Sequence, residues 1–201
     1  MKKKIIGFGI VILFFTMVLP FSNPVLADDP QITDETGDAF GYIDVDSIWF
    51  FEKEDTPDYL YVTMKINEPS FTTFQQTFAV FWTFNGINYA CSLHRGFAFK
   101  EWDQFRVGFA REKNNDKVEG EYYLDAGEIT WKIPKSYIGD PEKGDILEKT
   151  WSNAFRRVGF IGRIGFTRHI IDKIILNVFG NNMWDYAPER GSYGGNYLIK
   201  Y

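Results

Sequence analysis

"QQTFAVFWTFNGINYACSL" (Gln75–Leu93) is the stretch on which the fold is decided. Phe78, Val80, Trp82 and Phe84 align on one face, between Thr77, Ala79, Phe81 and Thr83, and after Asn85-Gly86 the alternation resumes with Ile87, Tyr89, Cys91 and Leu93. A period of two places each set on one face of a strand. Asn-Gly between two such runs supplies the two positive-φ residues that a type I′ turn needs, so the stretch predicts a tight antiparallel hairpin.

The same grammar extends outward from the hairpin. Asp58–Ile66 (DYLYVTMKI) sets Leu60, Val62, Met64 and Ile66 on a core face. Asp103–Arg111, Lys117–Asp125 and Gly127–Ile133 read as three further strands. Polar turns at 113–116 and 125–127 would join them into a meander, which Pro134 ends because it lacks a ladder donor. Short strands, tight turns and no βαβ spacing predict an all-β antiparallel sandwich. One stretch departs from this. In Arg168–Asn181 the apolar residues Ile170, Ile171, Ile174, Ile175, Val178 and Phe179 follow a helical stripe. A short helix near 168–181 is therefore expected, against the β preference of its isoleucines. Arg156, Arg157, Arg163, Arg168 and Lys173 make 156–173 basic, and this reads as a hydrated face.

The N-terminus sets the address. Lys2, Lys3 and Lys4 precede an apolar run to about Phe21, and Val25-Leu26-Ala27 fits a cleavage site. Residues 1–27 are expected to be a signal peptide, an uncleaved anchor helix being the alternative. Residues 28–201 then form a single secreted domain, extracellular or at the cell surface, with no membrane contact after cleavage. Losing three lysines and no acids takes the formal charge from −5 to −8, which argues against nucleic acid as a partner. Cys91 is the only cysteine, so no intramolecular disulfide can form, and it reads as a buried apolar residue.

"ITDETGDAFGYIDVDSIWFF" (Ile32–Phe51) gathers Asp34, Asp38, Asp44 and Asp46 ahead of an apolar strand. Calcium takes six to eight oxygen ligands, and clustered carboxylates on a turn can supply them. An EF-hand is excluded: counting from Asp34, Ala39 stands where glycine is needed and Val45 where glutamate is needed. A different calcium loop would need Asp34, Asp38 and Asp44 to converge, with Gly37 and Gly41 folding the chain back. The plainer alternative is a hydrated turn whose aspartates cap free amides. On a regular strand Asp44 and Asp46 would share one face, opposite Ile43 and Val45.

Catalytic signatures are lacking. No G-x-S-x-G, H-E-x-x-H or P-loop occurs. Glu52, Glu54, Asp103, Glu119, Glu121, Glu128 and Asp185 could each serve a glycosidase-like carboxylate pair, and their number singles out none. Cys91 and His94 lie three apart on a strand, on opposite faces. Of the six tryptophans, Trp82 and Trp131 fall on core faces. Trp49, Trp102 and Trp184 are the candidates for a platform on which sugar rings stack.

The order of several short motifs adds a resemblance. "ITDETGDAFGYIDVDSIWFF", "DYLYVTMKI", "GEITWKIPKSYIGDPEKGDIL" and the tail "WDYAPERGSYGGNYLIKY" resemble secreted DOMON-like sandwiches. These include glucodextranase-type C-terminal domains and the fold shared with family 9 carbohydrate-binding modules. The resemblance implies a non-catalytic binding or accessory module for carbohydrate or another cell-surface ligand, with a structural metal or haem in some relatives. Met64, His94 and His169 are the residues available as haem ligands, and no spacing gathers them, so calcium is the favoured cofactor. The rival expectation is a small extracellular polysaccharide hydrolase or lyase.

Overall fold

The computed structural model describes residues 29–39, 43–68, 75–95, 104–110, 112, 115–157 and 184–201. The signal segment, Gly41, Trp102, Asp103, His169 and the helix expected at 168–181 lie outside them.

The described chain is an antiparallel two-sheet sandwich, as expected. The first sheet takes β1 (Ile32–Thr33), β2 (Val45–Phe51), β3 (Tyr59–Ile66), β9 (Glu128–Pro134) and β8 (Glu119–Tyr123), in that spatial order. The second takes β11 (Trp184–Ala187), β10 (Ile146–Arg157), β4 (Gln75–Phe84), β5 (Ile87–Arg95), β6 (Gln104–Phe109) and β7 (Asp116–Lys117). The short β12 (Tyr197–Leu198) pairs with the start of β10. A 3-10 turn, Lys135–Ile138, follows Pro134, and among the described residues no helix is long and apolar enough to cross a membrane.

The hairpin forms as its residues dictate. Asn85 and Gly86 have φ of 49° and 75°, and Phe84 pairs with Ile87 in register. Phe78, Val80, Trp82, Phe84, Tyr89, Cys91 and Leu93 enter the core, where they meet Phe50, Met64 and Trp131 of the first sheet. Phe50 approaches Trp82 edge to face, ring centroids 5.8 Å apart, an arrangement that favours the aromatic quadrupoles. Ile87, expected inward, is exposed because it sits beside the turn at the open end of the sheet.

The meander does not form as expected. The stretch read as one strand over 117–125 is split at Val118, where the chain changes sheets: β7 pairs with β6, and β8 pairs with β9 across the sandwich. Phe105 makes the crossing compact, its ring lying over Gly120, where a Cβ would stand 2.1 Å from it, and edge-on to Trp131.

Strand β10, which pairs with β4, β11 and β12, carries no hydrophobic alternation of the usual sign. Leu147 enters the core at its start, but from there on its inward residues are Thr150, Ser152 and Ala154, and its outward ones include Trp151 and Phe155. A bulge, with Lys149 at φ 51°, interrupts it further.

The C-terminal segment binds the two sheets together. Gly194 N–H donates to the carbonyl of Thr150 in β10, and Gly195 N–H to the carbonyl of Gln31, next to β1. Beyond them Glu52, at the end of β2, is buried against Lys135 Nζ at 2.6 Å, and its other oxygen accepts from the Lys200 N–H and the Tyr197 hydroxyl. A side chain at 194 would place Cβ 2.4 Å from the Gln31 carbonyl oxygen, whereas at 195 the nearest atom is 3.4 Å away. Gly194→Ala is therefore expected to destabilise the domain by about 1–3 kcal/mol, the usual range for overpacking. At ~2–4 °C per kcal/mol, thermal melting should show the loss, with Gly195→Ala close to wild type.

Candidate functional site: a carboxylate cluster between the sheets

The turn after β1 and the opening of β2 form one wall of the site. Gly37, at φ 98°, reverses the chain as its residue type allows, and its N–H donates to Asp44 Oδ2 at 2.7 Å. Asn67 Nδ2 donates to the same oxygen at 2.9 Å, while the Asn67 N–H reaches the Asp44 carbonyl. Asp44 is fully buried with Ile43 and Val45, so the alternation expected for Asp44 and Asp46 fails here. The cause is a register shift between Val45 and Ser47, a bulge that takes up Asp46.

The other wall is β11. Trp184 and Tyr186 point away from the sandwich, and Asp185 and Ala187 point into it. Asp185 is 1% exposed, and its Oδ2 accepts from the Val45 N–H at 2.6 Å, across the gap between the sheets. Asp34, Asp38 and Asp185 then bring one oxygen each within 4.8 Å of one another. Asp44 is not in this mutual set; it braces the turn that presents Asp38. Of the three residues read as ligands in the sequence, Asp34 and Asp38 come together, and Asp185 from the far end of the chain joins them.

The electrostatics follow from this crowding. Burial raises the Asp34 carboxyl to about 7, helped by the negative charges of Asp185, Asp38 and Asp44. Burial likewise raises Asp185 to about 6, against the Val45 N–H bond that favours its charged form. Asp38 is raised by burial and then by Asp44 and Glu35. Asp34 Oδ2, Asp44 Oδ1 and Asp185 Oδ1 are buried with no hydrogen-bond partner among the described residues. A buried carboxylate oxygen without a donor is costly. The arrangement calls for protons or a cation, and its ligand atoms are all hard oxygens, which suit calcium better than a thiophilic metal.

The remaining candidates are dispersed. Trp49 is half-buried on the outer face of the first sheet, and Trp184 is exposed on the outer face of the second, so the two share no platform. Trp184 instead stacks on Phe155, ring centroids 4.6 Å apart, and Trp151 stacks on Phe81 at 3.9 Å, a pairing unread in the sequence. Met64 lies in the core and His94 on the outer face of the second sheet, so no pocket holds both. Cys91 is buried, and that burial pushes its thiol far above the ordinary value, which denies it a nucleophilic role. Glu119 is paired with Lys132, and Glu52 with Lys135.

No family model, curated protein or solved structure matches this chain. The functional reading therefore rests on the site and on the motifs quoted above.

The raised carboxyls give a pH dependence with a definite sign. Asp34 and Asp185 hold protons more tightly folded than unfolded, where a carboxyl titrates near 4. Their effect favours the folded state at low pH and is lost as pH rises through about 4 to 7. In chelator, the melting temperature should fall between about pH 4 and 7. Asp185→Asn, which keeps an acceptor for the Val45 N–H, should flatten that slope.

Proposed function

We propose that this chain is an exported, non-catalytic binding module whose sandwich is completed by a calcium ion held at Asp34, Asp38 and Asp185. The observation that carries the reading is Asp185 Oδ1: buried, without a donor among the described residues, in a side chain grouped with two further carboxylates. A calcium ion would offset their mutual repulsion and tie the turn after β1 to β11. The basic and apolar N-terminus supports an extracellular address, where modules bind calcium with Kd of about 0.1–1 mM. The motifs shared with DOMON-like and family 9 carbohydrate-binding modules support a glycan or another surface component as ligand.

A second reading has one observation in its favour. Asp34, its carboxyl raised to about 7 beside Asp185, resembles the acid partner of a hydrolase or lyase carboxylate pair, and retaining glycosidases space such groups by about 5–5.5 Å. Burial of Asp185 weighs against a polysaccharide reaching it.

The calcium reading is tested by melting. A ligand at a hundred times its Kd stabilises the folded state by about 2.7 kcal/mol, which for this size means a rise of several degrees. Calcium should produce that rise, chelator should reverse it, and Asp38→Asn and Asp185→Asn should each weaken it. Magnesium, which demands a tighter octahedron, should substitute poorly. A melting curve unmoved by millimolar calcium sinks the reading. New reducing ends from a polysaccharide, abolished by Asp34→Asn, would favour the hydrolase.

A further inference from the structure

The outer face of the second sheet is built against the usual polarity. Strands β10 and β11 turn Trp151, Phe155, Trp184 and Tyr186 outward while sending Ser152, Ala154, Asp185 and Ala187 inward. Trp184 is exposed and Trp151, Phe155 and Tyr186 are half-buried, so these rings keep part of the burial that would stabilise each by about 1.5–3 kcal/mol, and their open edges offer a ligand apolar surface.

The ladder registers give its layout. One row across the strands runs from Tyr186 through Asn153, Ala79 and Ser92 to Arg106 and Lys117. The middle of this row is small, and one stacked aromatic pair flanks it on each side: Trp184 on Phe155, and Trp151 on Phe81. Four residues along β10 separate the two pairs, about 13 Å at the usual rise. The flanking rows add hydrogen-bonding groups, of which His94 and Gln104 are exposed.

Along these three rows the charge is opposite in sign to the chain as a whole, and the exposed Glu148, level with Thr83, stands one row further on. None of the three rows contains Asp or Glu, although acids outnumber Lys and Arg by 27 to 22. Arg106 is held in place by Gln104 Oε1 and the Asn115 carbonyl, neither of which neutralises it. Lys117 stands beside it, and at the other edge Arg190 lies 5.6 Å from the centre of the Tyr186 ring.

We propose that this face binds an acidic polysaccharide, its sugar rings stacking on the Trp184–Phe155 and Trp151–Phe81 pairs and its carboxylates meeting Arg106 and Lys117. Rings that present C–H faces to aromatics, hydroxyls to side-chain amides and carboxylates to a guanidinium match this mixture of groups. The proposal names the ligand of the binding module argued above. It uses none of the carboxylate cluster's residues.

Calorimetric titration of the full mature chain in calcium, with soluble hexasaccharides of galacturonate, mannuronate and hyaluronate, is the test. At least one acidic hexasaccharide should bind, more weakly as salt rises. Trp184→Ala, on an edge strand and exposed, should weaken binding about tenfold, and Arg106→Gln should do the same. For a galacturonate ligand, the methyl ester should bind weakly and be indifferent to Arg106→Gln. Circular dichroism of each variant separates lost binding from lost fold. Because the aromatic pairs also contribute to packing, Lys117→Gln serves as a second, purely surface variant and should weaken binding severalfold. No heat with any acidic hexasaccharide, or equal affinity for the esterified one, overturns the proposal. The calcium-dependent melting shift is a separate measurement, so the two readings fail independently.

Discussion

The hydrogen bond from the Val45 N–H to Asp185 Oδ2 joins residues 140 apart in sequence and ties the two sheets together at one end of the sandwich. It holds the start of β2 against β11, and it leaves the second oxygen of Asp185 buried without a donor among the described residues. The turn braced by Asp44 presents Asp38 to the same space. An ionisable cluster here is a consequence of how the sheets are closed, since the chain that closes them brings its carboxylate along.

The other end of β2 shows what a completed site looks like. Glu52 is as deeply buried in its side chain as Asp185, yet its oxygens meet Lys135 Nζ, the Lys200 N–H and the Tyr197 hydroxyl. Its cation belongs to the chain. Around Asp34, Asp38 and Asp185 the nearby charges among the described residues are negative, and that asymmetry is the physical ground for the calcium ion proposed there. Both ends of one strand thus rest on a buried carboxylate, and only one is neutralised from within.

Strands β10 and β11 connect this closure to the opposite surface. A strand has two faces and a period of two, so sending Asp185 and Ala187 inward obliges Trp184 and Tyr186 to point outward. On β10 the same obligation pairs inward Ser152 and Ala154 with outward Trp151 and Phe155. The buried polar cluster and the aromatic outer face are two sides of one register. A one-residue slip would exchange them.

The sequence by itself determined the sandwich and its hairpin, because alternation and turn chemistry are local. Asn85-Gly86 sets its own dihedrals, and Phe78, Val80 and Trp82 carry their face in their spacing. It also placed Asp34 and Asp38 in one turn through Gly37. Three things were decided only in three dimensions. The crossing at Val118, read as a continuous strand, depends on Phe105 finding space over Gly120. Strand β10 escaped notice because its small inward residues invert the pattern that marks a strand, and packing alone reveals which face is inside. Asp185 stood among several equivalent carboxylates, its one local signal being the alternation of Trp184, Asp185, Tyr186 and Ala187, which sets a charge on the face shared with an alanine. Its company with Asp34 and Asp38 spans most of the chain, and no local rule records a contact that only sheet closure creates.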